Sequence, residues 1–467
     1  MPLPEILAIL LVVAVCAMLM AGYPVALTLG GVSLAFALLG VAAGVFQLSL
    51  LNALPPRIFG VMSNDVLIAI PLFVFMGVML ERSHVAEDLL ETMGRLLGSV
   101  TGGLAIAVLI VGVLLAAAKG IVGATTVTMG LIVLPVMLRH GYDPRLAAGT
   151  VAATATLAQI FPPATVLVLL GDQMSNAYQA AQLSQGIFSP QSVTVTDLFA
   201  GAIIPAFGLV ALYLIFLVAV AAIWPHTSPA VPRDPNAPRG AAMVRRLTEV
   251  MVAPLALIVA VLGSILGGIA TPSESASIGA MGAMLLAARR TGLPVFVRDV
   301  LVQVVHKTAQ ITAMIFLILI GATLFSLVFR GFGGDDMVHR GLSDLPGGAA
   351  GAILVVMSAM FLLGFVMDAF EIIFVVVPIV APALLKMEGI NPVWLAVMMA
   401  MNLQTSYIHP PLGPTLFFLR GVAPPQITTA HIYVGVIPFV VIQLLALVLL
   451  WFLPGLATWL PHKLYGS

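Results

Sequence analysis

Two apolar stretches of this chain are interrupted in the same way. Between the apolar runs 392–400 and 415–419 lies Met401-Asn402-Leu403-Gln404-Thr405-Ser406-Tyr407-Ile408-His409-Pro410-Pro411-Leu412-Gly413-Pro414, too polar and proline-rich for the middle of an ordinary transmembrane helix. Lipid offers no hydrogen bonds. Backbone groups freed at membrane depth must therefore be buried in protein, line a watery cavity or coordinate something. The other interruption places Thr154-Ala155-Thr156-Leu157-Ala158-Gln159 ahead of Pro162-Pro163, and this pair stands 248 positions before Pro410-Pro411. One such break is read as readily as a proline-kinked helix, since Gly and Pro are common in membrane helices. A chain that carries it twice presents two halves of a transport site.

Such breaks make sense only in a chain embedded over most of its length. Charged residues are 8% of the chain, hydrophobic residues 61%, and mean hydropathy is +1.16, a make-up that marks a polytopic membrane protein. Formal net charge is zero, so nothing points to nucleic acid or another polyanion. The lone Cys16 excludes an intramolecular disulfide and is expected to be a small core hydrophobe. No Lys or Arg precedes the run 6–20, which is therefore taken as a first membrane helix rather than a signal peptide. The sequence has no His-Glu-x-x-His or Walker motif, no Gly-x-Ser-x-Gly elbow and no Cys cluster, which argues against an enzyme or an ATPase.

Several apolar runs are too short for a hydrocarbon core of about 30 Å, which takes roughly 20 helical residues. They come in adjacent pairs, 102–118 with 125–138 and 349–366 with 372–385, each joined by a small polar or Gly-rich tip. Each pair predicts a re-entrant helical hairpin. Landmarks recur at a near-constant offset: Pro24 and Pro272 at 248, Gly102-Gly103 and Gly347-Gly348 at 245, Gly141-Tyr142-Asp143-Pro144 and Gly389-Ile390-Asn391-Pro392 at 248. The expected divisions are 1–171, a first repeat; 172–248, an external loop, linking helix and Pro-rich cytoplasmic linker; 249–425, a second repeat; and 426–467, a C-terminal helix and tail.

Loop charges orient the chain. Arg139, Arg145, Arg233, Arg239, Arg245, Arg246, Arg289, Arg290 and Arg298 belong in the cytoplasm, and 172–198, without Lys or Arg, belongs outside. An outside N-terminus satisfies this and starts the second repeat inside. The expected fold is an all-α polytopic membrane protein of two inverted repeats, each with a re-entrant hairpin and a broken helix, around a site at the midplane.

Two constellations carry the chemistry. The first joins the tip Gly120, Gly123, Ala124, Thr125, Thr126 to Thr156, Gln159, Pro162 and Pro163, where carbonyl and hydroxyl oxygens suit a hard cation such as Na⁺. The second joins Asp368 and Glu371 to Asn402, Gln404, Thr405, Ser406, Pro410 and Gly413. A charge at membrane depth costs roughly 2.5 kcal/mol or more, so the default reading is functional, with a helix-capping acid as the alternative. Lys119 is placed to meet a carboxylate substrate, to pair with an acid or to snorkel. His409 is expected to be a hydrogen-bonded histidine, and Glu274 a charged helix start.

With Ile70-Pro71-Leu72-Phe73, the hairpin 120–138, Gly141-Tyr142-Asp143, Pro162-Pro163, the Ala-Thr-Pro-x-Glu motif within 267–279, Met367-Asp368, Pro378-Ile379 and 402–413, the chain resembles the large membrane subunit of tripartite ATP-independent periplasmic (TRAP) transporters. The resemblance implies the ion-transporter superfamily fold, an elevator-type scaffold plus transport domain. It implies a bacterial inner-membrane importer of an organic acid, with Na⁺ as coupling ion and no cofactor. The implied partners are a periplasmic substrate-binding protein and a small four-helix membrane subunit. It assigns Gly123, Ala124, Thr125 and Thr126, with Thr156 and the Pro162 break, to one Na⁺ site. Asp368, Glu371, Asn402, Gln404, Thr405 and Ser406 go to the other. The expected substrate contacts are Lys119, Gly120, Thr126, Gln159, Thr405 and Pro410. The tip Lys119-Gly120-Ile121-Val122-Gly123 departs from the Ser-Gly-Ser-Gly-like form of many relatives. The alternatives are a stand-alone Na⁺–carboxylate symporter of the same fold and an intramembrane enzyme.

Overall fold

The computed structural model describes residues 2–83, 85–120, 122–231 and 241–466; the side chains of 85, 86, 118, 119, 241–247 and 249 lie outside that description. The described residues are helical throughout, with no strand. The chain runs α1 (Leu3–Met20), α2 (Val25–Ala42), α3 (Leu54–Met62), α4 (Ala69–Arg82), α5 (Val85–Leu97), α6 (Gly103–Lys119), α7 (Val122–Arg139), α8 (Pro144–Thr156), α9 (Thr165–Ser184), α10 (Val195–Ile223) and α11 (Ala241–Leu266). It continues through α12 (Pro272–Thr291), α13 (Leu293–Val295), α14 (Leu301–Gly331), α15 (Gly334–Ser343), α16 (Gly348–Leu363), α17 (Ala369–Val375), α18 (Val377–Leu385), α19 (Pro392–Ile408), α20 (Pro414–Val422), α21 (Thr429–Phe452) and α22 (Gly455–Tyr465).

By length and composition, six of these helices can cross a membrane, or seven if the bent pair across α4 and α5 is one span. The rest of the buried apolar chain is in shorter pieces, and the residues that cut it recur in both halves. Gly102 and Gly347 both take left-handed backbone before α6 and α16, and Gly141 (φ +77°) and Gly389 (φ +83°) do so before α8 and α19. Only glycine adopts this conformation without a steric cost. Asp143 and Asn391, 248 positions apart, cap α8 and α19 through Arg145 and Leu146 N–H in one case and Val393 and Trp394 N–H in the other. In both helices a proline follows at the first position, where its missing N–H is no loss.

The packing falls into two groups. In one, α2 lies along α14, and α4 lies along both α12 and α14. In the other, α6 to α10 and α16 to α22 surround α8 and α19. Every residue of α19 is buried, as is α8 from Ala147 onward. The two helices that end at the breaks are thus the centre of the molecule. α8 meets α21 backbone to backbone: a methyl group on Gly149 would overlap the Gly435 carbonyl, the close approach that small residues allow between membrane helices. By contrast α1 and α2 turn large apolar side chains outward, with Leu27 65% and Val13 56% exposed. Faces this apolar suit lipid or a membrane partner rather than water.

Two expectations need correction. The segment expected to be a loop from 172 is helical as far as Ser184, because nothing between Thr165 and Ser184 interrupts the helix. The tail after 453 is a helix, α22, packed against α10. The Pro-rich linker falls mostly on residues 232–240, outside the described residues.

Candidate functional site

The site is built where the two broken helices stop. At Pro163 and Pro411 the ring removes an N–H, and each proline disfavours helical backbone in the residue before it, so α8 and α19 end just ahead of the pairs. Both pairs, Pro162-Pro163 and Pro410-Pro411, have cis peptide bonds. The helices nevertheless run further than the polar composition suggested. α19 continues to Ile408, so Asn402, Gln404, Thr405 and Ser406 lie in its last turns and only 409–413 is unwound. α8 reaches Thr156, a 3₁₀ turn covers 157–159, and the chain unwinds from Ile160 to Ala164. The hydroxyls explain this tolerance. Thr156 donates to Ala153 O (2.8 Å), Thr405 to Met401 O (2.9 Å) and Ser406 to Leu403 O (2.8 Å). Each hydrogen is committed to its own helix, which leaves the oxygen to act as an acceptor.

The first hairpin is α6 and α7. Its expected tip residues divide between the two helices. Gly120 takes φ +60° and closes α6, while Gly123, Ala124, Thr125 and Thr126 form the first turns of α7. Gly120 O accepts a hydrogen bond from Thr165 Oγ1 (2.8 Å), and Thr165 opens the helix after break one, so the first tip is tied to the first break. Thr126 donates to Val122 O (2.8 Å). A methyl group on Gly123 would meet the Phe418 ring at 3.1 Å, so this tip also rests on α20, beyond the second break. The Lys119 side chain and Ile121 lie outside the described residues.

The second hairpin is α16 with α17 and α18. Gly364 lies so close to Ser406 that a methyl group there would overlap its hydroxyl. Asn402 Nδ2 donates to Met357 O in α16 (2.8 Å), and Ala369 N–H donates to Tyr407 Oη (3.3 Å). Asp368 and Glu371 form a capping box on α17: Asp368 Oδ1 accepts from Ala369 N (2.8 Å) and Glu371 Oε2 accepts from Asp368 N (3.0 Å). The two acids therefore serve a helix start, which is the alternative the sequence left open. No hydrogen bond among the described residues joins either acid to Asn402, Gln404, Thr405 or Ser406. Among the described residues no hydrogen bond reaches the His409 ring, contrary to expectation. The ring packs on Phe361 (4.8 Å) and Phe365 (5.1 Å), and Nδ1 is buried without a partner there. Glu274 caps α12 through Thr271 N (2.8 Å).

A side-chain hydrogen bond joins the two breaks. Gln404 Nε2 donates to Thr156 Oγ1 at 3.5 Å, and these residues are 248 apart, the offset that relates the two halves. Sequence reasoning missed what completes this junction. Gln443 of α21 donates to the same Thr156 Oγ1 (3.3 Å) and to Tyr213 Oη of α10 (2.7 Å), and both newcomers are fully buried. The available signal was a lone amide in the middle of an apolar helix, a costly placement that asks for a reason. Among the described residues, the junction's own Gln404 Oε1 and Gln443 Oε1 are buried acceptors without a donor, as are Gln159 Oε1 at the first break, Thr154 Oγ1 in α8 and Thr415 Oγ1 in α20. Buried polar atoms normally find a partner. Neutral amide and hydroxyl oxygens are the ligand type that suits a hard cation rather than a transition metal.

Residues 12–456 match the family model described as "Tripartite ATP-independent periplasmic transporter, DctM component". The chain belongs to this family. It is similar along its whole length to the C4-dicarboxylate TRAP transporter large permease protein DctM of Vibrio cholerae, at 28% identity over 98% of each chain. It is also 26% identical to the isethionate TRAP transporter permease protein DctMQ of Oleidesulfovibrio alaskensis, over 94% of this chain and 64% of that one. Among solved structures, the Alcanivorax borkumensis YdaH transporter superposes with a TM-score of 0.64 at 16% identity, covering 98% of this chain and 100% of that one, a likeness of fold alone. As a TRAP large permease, the chain is a multi-pass inner-membrane transport protein and not an enzyme.

Proposed function

We propose that this TRAP permease imports an organic acid in symport with Na⁺, and that the two helix breaks with their hairpin tips hold the ions and the substrate. The observation that carries the reading is the Thr156–Gln404 contact between the two breaks, where Gln404 Oε1 and Gln443 Oε1 are buried without donors among the described residues. Na⁺ is placed first among Gly123 to Thr126, Thr156 and the Pro162 break, and second among Asp368, Glu371 and the last turns of α19. The substrate lies between them, against Gly120, Thr126, Gln159, Thr405 and Pro410, with Lys119 as its counter-charge. C4-dicarboxylates and isethionate, carried by the relatives, are both organic anions, which supports that class here.

The halves act as inverted repeats, with the group around α8 and α19 moving as an elevator against the group built on α2, α4, α12 and α14. The recurrence of caps, glycines and Pro-Pro pairs at one offset supports a repeat, and the arginine distribution supports the inversion. A periplasmic binding protein delivers the substrate, and a small four-helix subunit covers part of the apolar outer face. The fused permease DctMQ among the relatives supports such a partner.

Uptake in proteoliposomes tests this, using the chain with its small subunit and binding protein, a panel of organic acids, and an inward Na⁺ gradient or its K⁺ replacement. Uptake that needs both the Na⁺ gradient and the binding protein is expected. Uptake indifferent to Na⁺ overturns the coupling, and uptake without the binding protein makes the chain a stand-alone symporter.

A further inference from the structure

A cavity of about 420 Å³ lies apart from the breaks, and no residue of either tip or either break lines it. It opens between the two packed groups, with α3 and α14 on one side and α9, α17 and α18 on the other. Its polar lining includes Arg57, Asn64, Asp172, Asn176, Ser326 and Arg330, over apolar walls. A volume of this size fits a small organic molecule, since ligand pockets start at roughly 300 Å³.

The lining offers donors more than acceptors. The Asp172 carboxylate is engaged on both oxygens: Oδ1 accepts from Asn64 Nδ2 (2.7 Å), and Oδ2 accepts from Gln173 Nε2 (3.0 Å) and Asn176 Nδ2 (3.5 Å). Arg330 pairs through Nε with Asp335 Oδ2 (3.0 Å), which sits beyond the end of α14 and outside the lining. Arg57 has no carboxylate within ion-pair distance among the described residues. A guanidinium carries five donors in a planar fork that matches a carboxylate. Arg57 is therefore the guanidinium of this lining left without an ion-pair partner among the described residues, with Arg330 beside it and the Asp335 carboxylate, bonded to Arg330, nearby.

We propose that this cavity is an entry subsite that takes the carboxylate of an organic anion at Arg57 and Arg330, before the anion reaches the hairpin tips. The proposal rests on the transport reading above and on the external placement of the segment from 172 that the loop charges imply. Because its walls belong to both packed groups, the subsite exists only while they stand apart on this side.

Thiol labelling in intact cells with a permeabilised outer membrane tests it, using the full chain co-expressed with its partners. Cys16→Ser removes the native thiol and Asn176→Cys places one in the cavity. Rates are measured with an anionic and a cationic methanethiosulfonate, each normalised to a free thiol. The anionic reagent is expected to be favoured by on the order of tenfold, the lower end of electrostatic focusing in a charged cleft. Arg57→Gln is expected to abolish the preference and Arg57→Lys to keep it, and succinate should slow labelling only while position 57 is cationic. Equal normalised rates, a preference indifferent to Arg57→Gln, or no protection by succinate each overturn the subsite. Uptake in the same cells separates the two ideas: Na⁺-driven uptake without anion preference sinks the subsite alone, and anion preference with Na⁺-independent uptake sinks the coupling alone.

Discussion

The two broken helices share a backbone and differ in chemistry. Each begins with a left-handed glycine, an Asp or Asn cap and a proline, and each ends at a cis Pro-Pro pair. What ties each break to its hairpin is different. At the first, a neutral hydroxyl bonds a carbonyl, Thr165 to Gly120. At the second, a capping box of two acids and the Tyr407 phenol organise the turn. The residues held in common act on the backbone, and those that differ would face an ion or a substrate. A duplicated frame can thus hold two sites of unlike charge. The first offers neutral oxygens only, and the second adds carboxylates whose negative charge must be balanced whenever both are ionised.

The largest effect should come from separating a tip from its break. Gly364→Val drives a branched side chain into Ser406, and uptake should fall by about two orders of magnitude, the scale for a displaced binding geometry. Normal amounts of the variant in the membrane fraction would show that transport, not folding, was lost. Near-normal uptake would mean that hairpin two need not seat on α19. The next variants test the charge difference directly. Glu371→Gln keeps the capping box, since Gln serves the third helical position as Glu does, but removes the charge. Thr126→Val removes one neutral oxygen at constant shape. The apparent Na⁺ affinity, read from the Na⁺ dependence of uptake, should fall about tenfold or more for Glu371→Gln and only a few-fold for Thr126→Val, as charged and neutral hydrogen-bonding groups differ. Equal losses would erase the distinction between the two breaks.

How much of this was legible in the sequence follows from the same distinction. The frame was readable, because proline, glycine and caps at fixed offsets act through the backbone wherever they occur. Helix ends and partners were harder. The polar run from Asn402 looked unwound, yet hydroxyls bonded back to their own helix let α19 reach Ile408. Within the expected tip, Gly120 has the left-handed backbone, whereas Gly123 to Thr126 wind into α7, where the Thr126 hydroxyl bonds back to its own helix. Gln443 and Tyr213 belong to helices outside both breaks, and no sequence spacing links them to Thr156; only packing does. The cavity at Arg57 escaped for the same reason, since its walls come from five separate helices.

That junction supplies a smaller effect. Gln443→Leu fills similar space but removes the amide that reaches Thr156 and Tyr213, leaving the Tyr213 hydroxyl buried without this partner. Such an orphan costs about 1–3 kcal/mol. Tyr213 lies outside both breaks, so part of the cost should appear as lower thermal stability in detergent. The Na⁺ dependence should shift only to the extent that Thr156 moves. Adding Tyr213→Phe should restore stability and leave the Na⁺ shift in place. If the double variant recovers both, Gln443 supports the fold and has no part in the site.

The smallest expected effect is the sharpest test of asymmetry. Thr165→Val deletes one hydrogen bond, to Gly120 O, and nothing else the structure shows. One neutral bond contributes about 0.5–1.5 kcal/mol, so a two- to tenfold weakening of Na⁺ dependence is the ceiling. If both tips move as one body, a change at the first should be felt equally at the second. Glu371→Gln and Thr165→Val would then combine to more or less than the sum of their separate effects. If each break holds its own ion, the two losses should add within about 0.5 kcal/mol, as they do for distant sites with no shared partner. The measured coupling thus decides between one shared site and two, and the Thr156–Gln404 contact and the packing of Gly123 on Phe418 are routes by which it can pass.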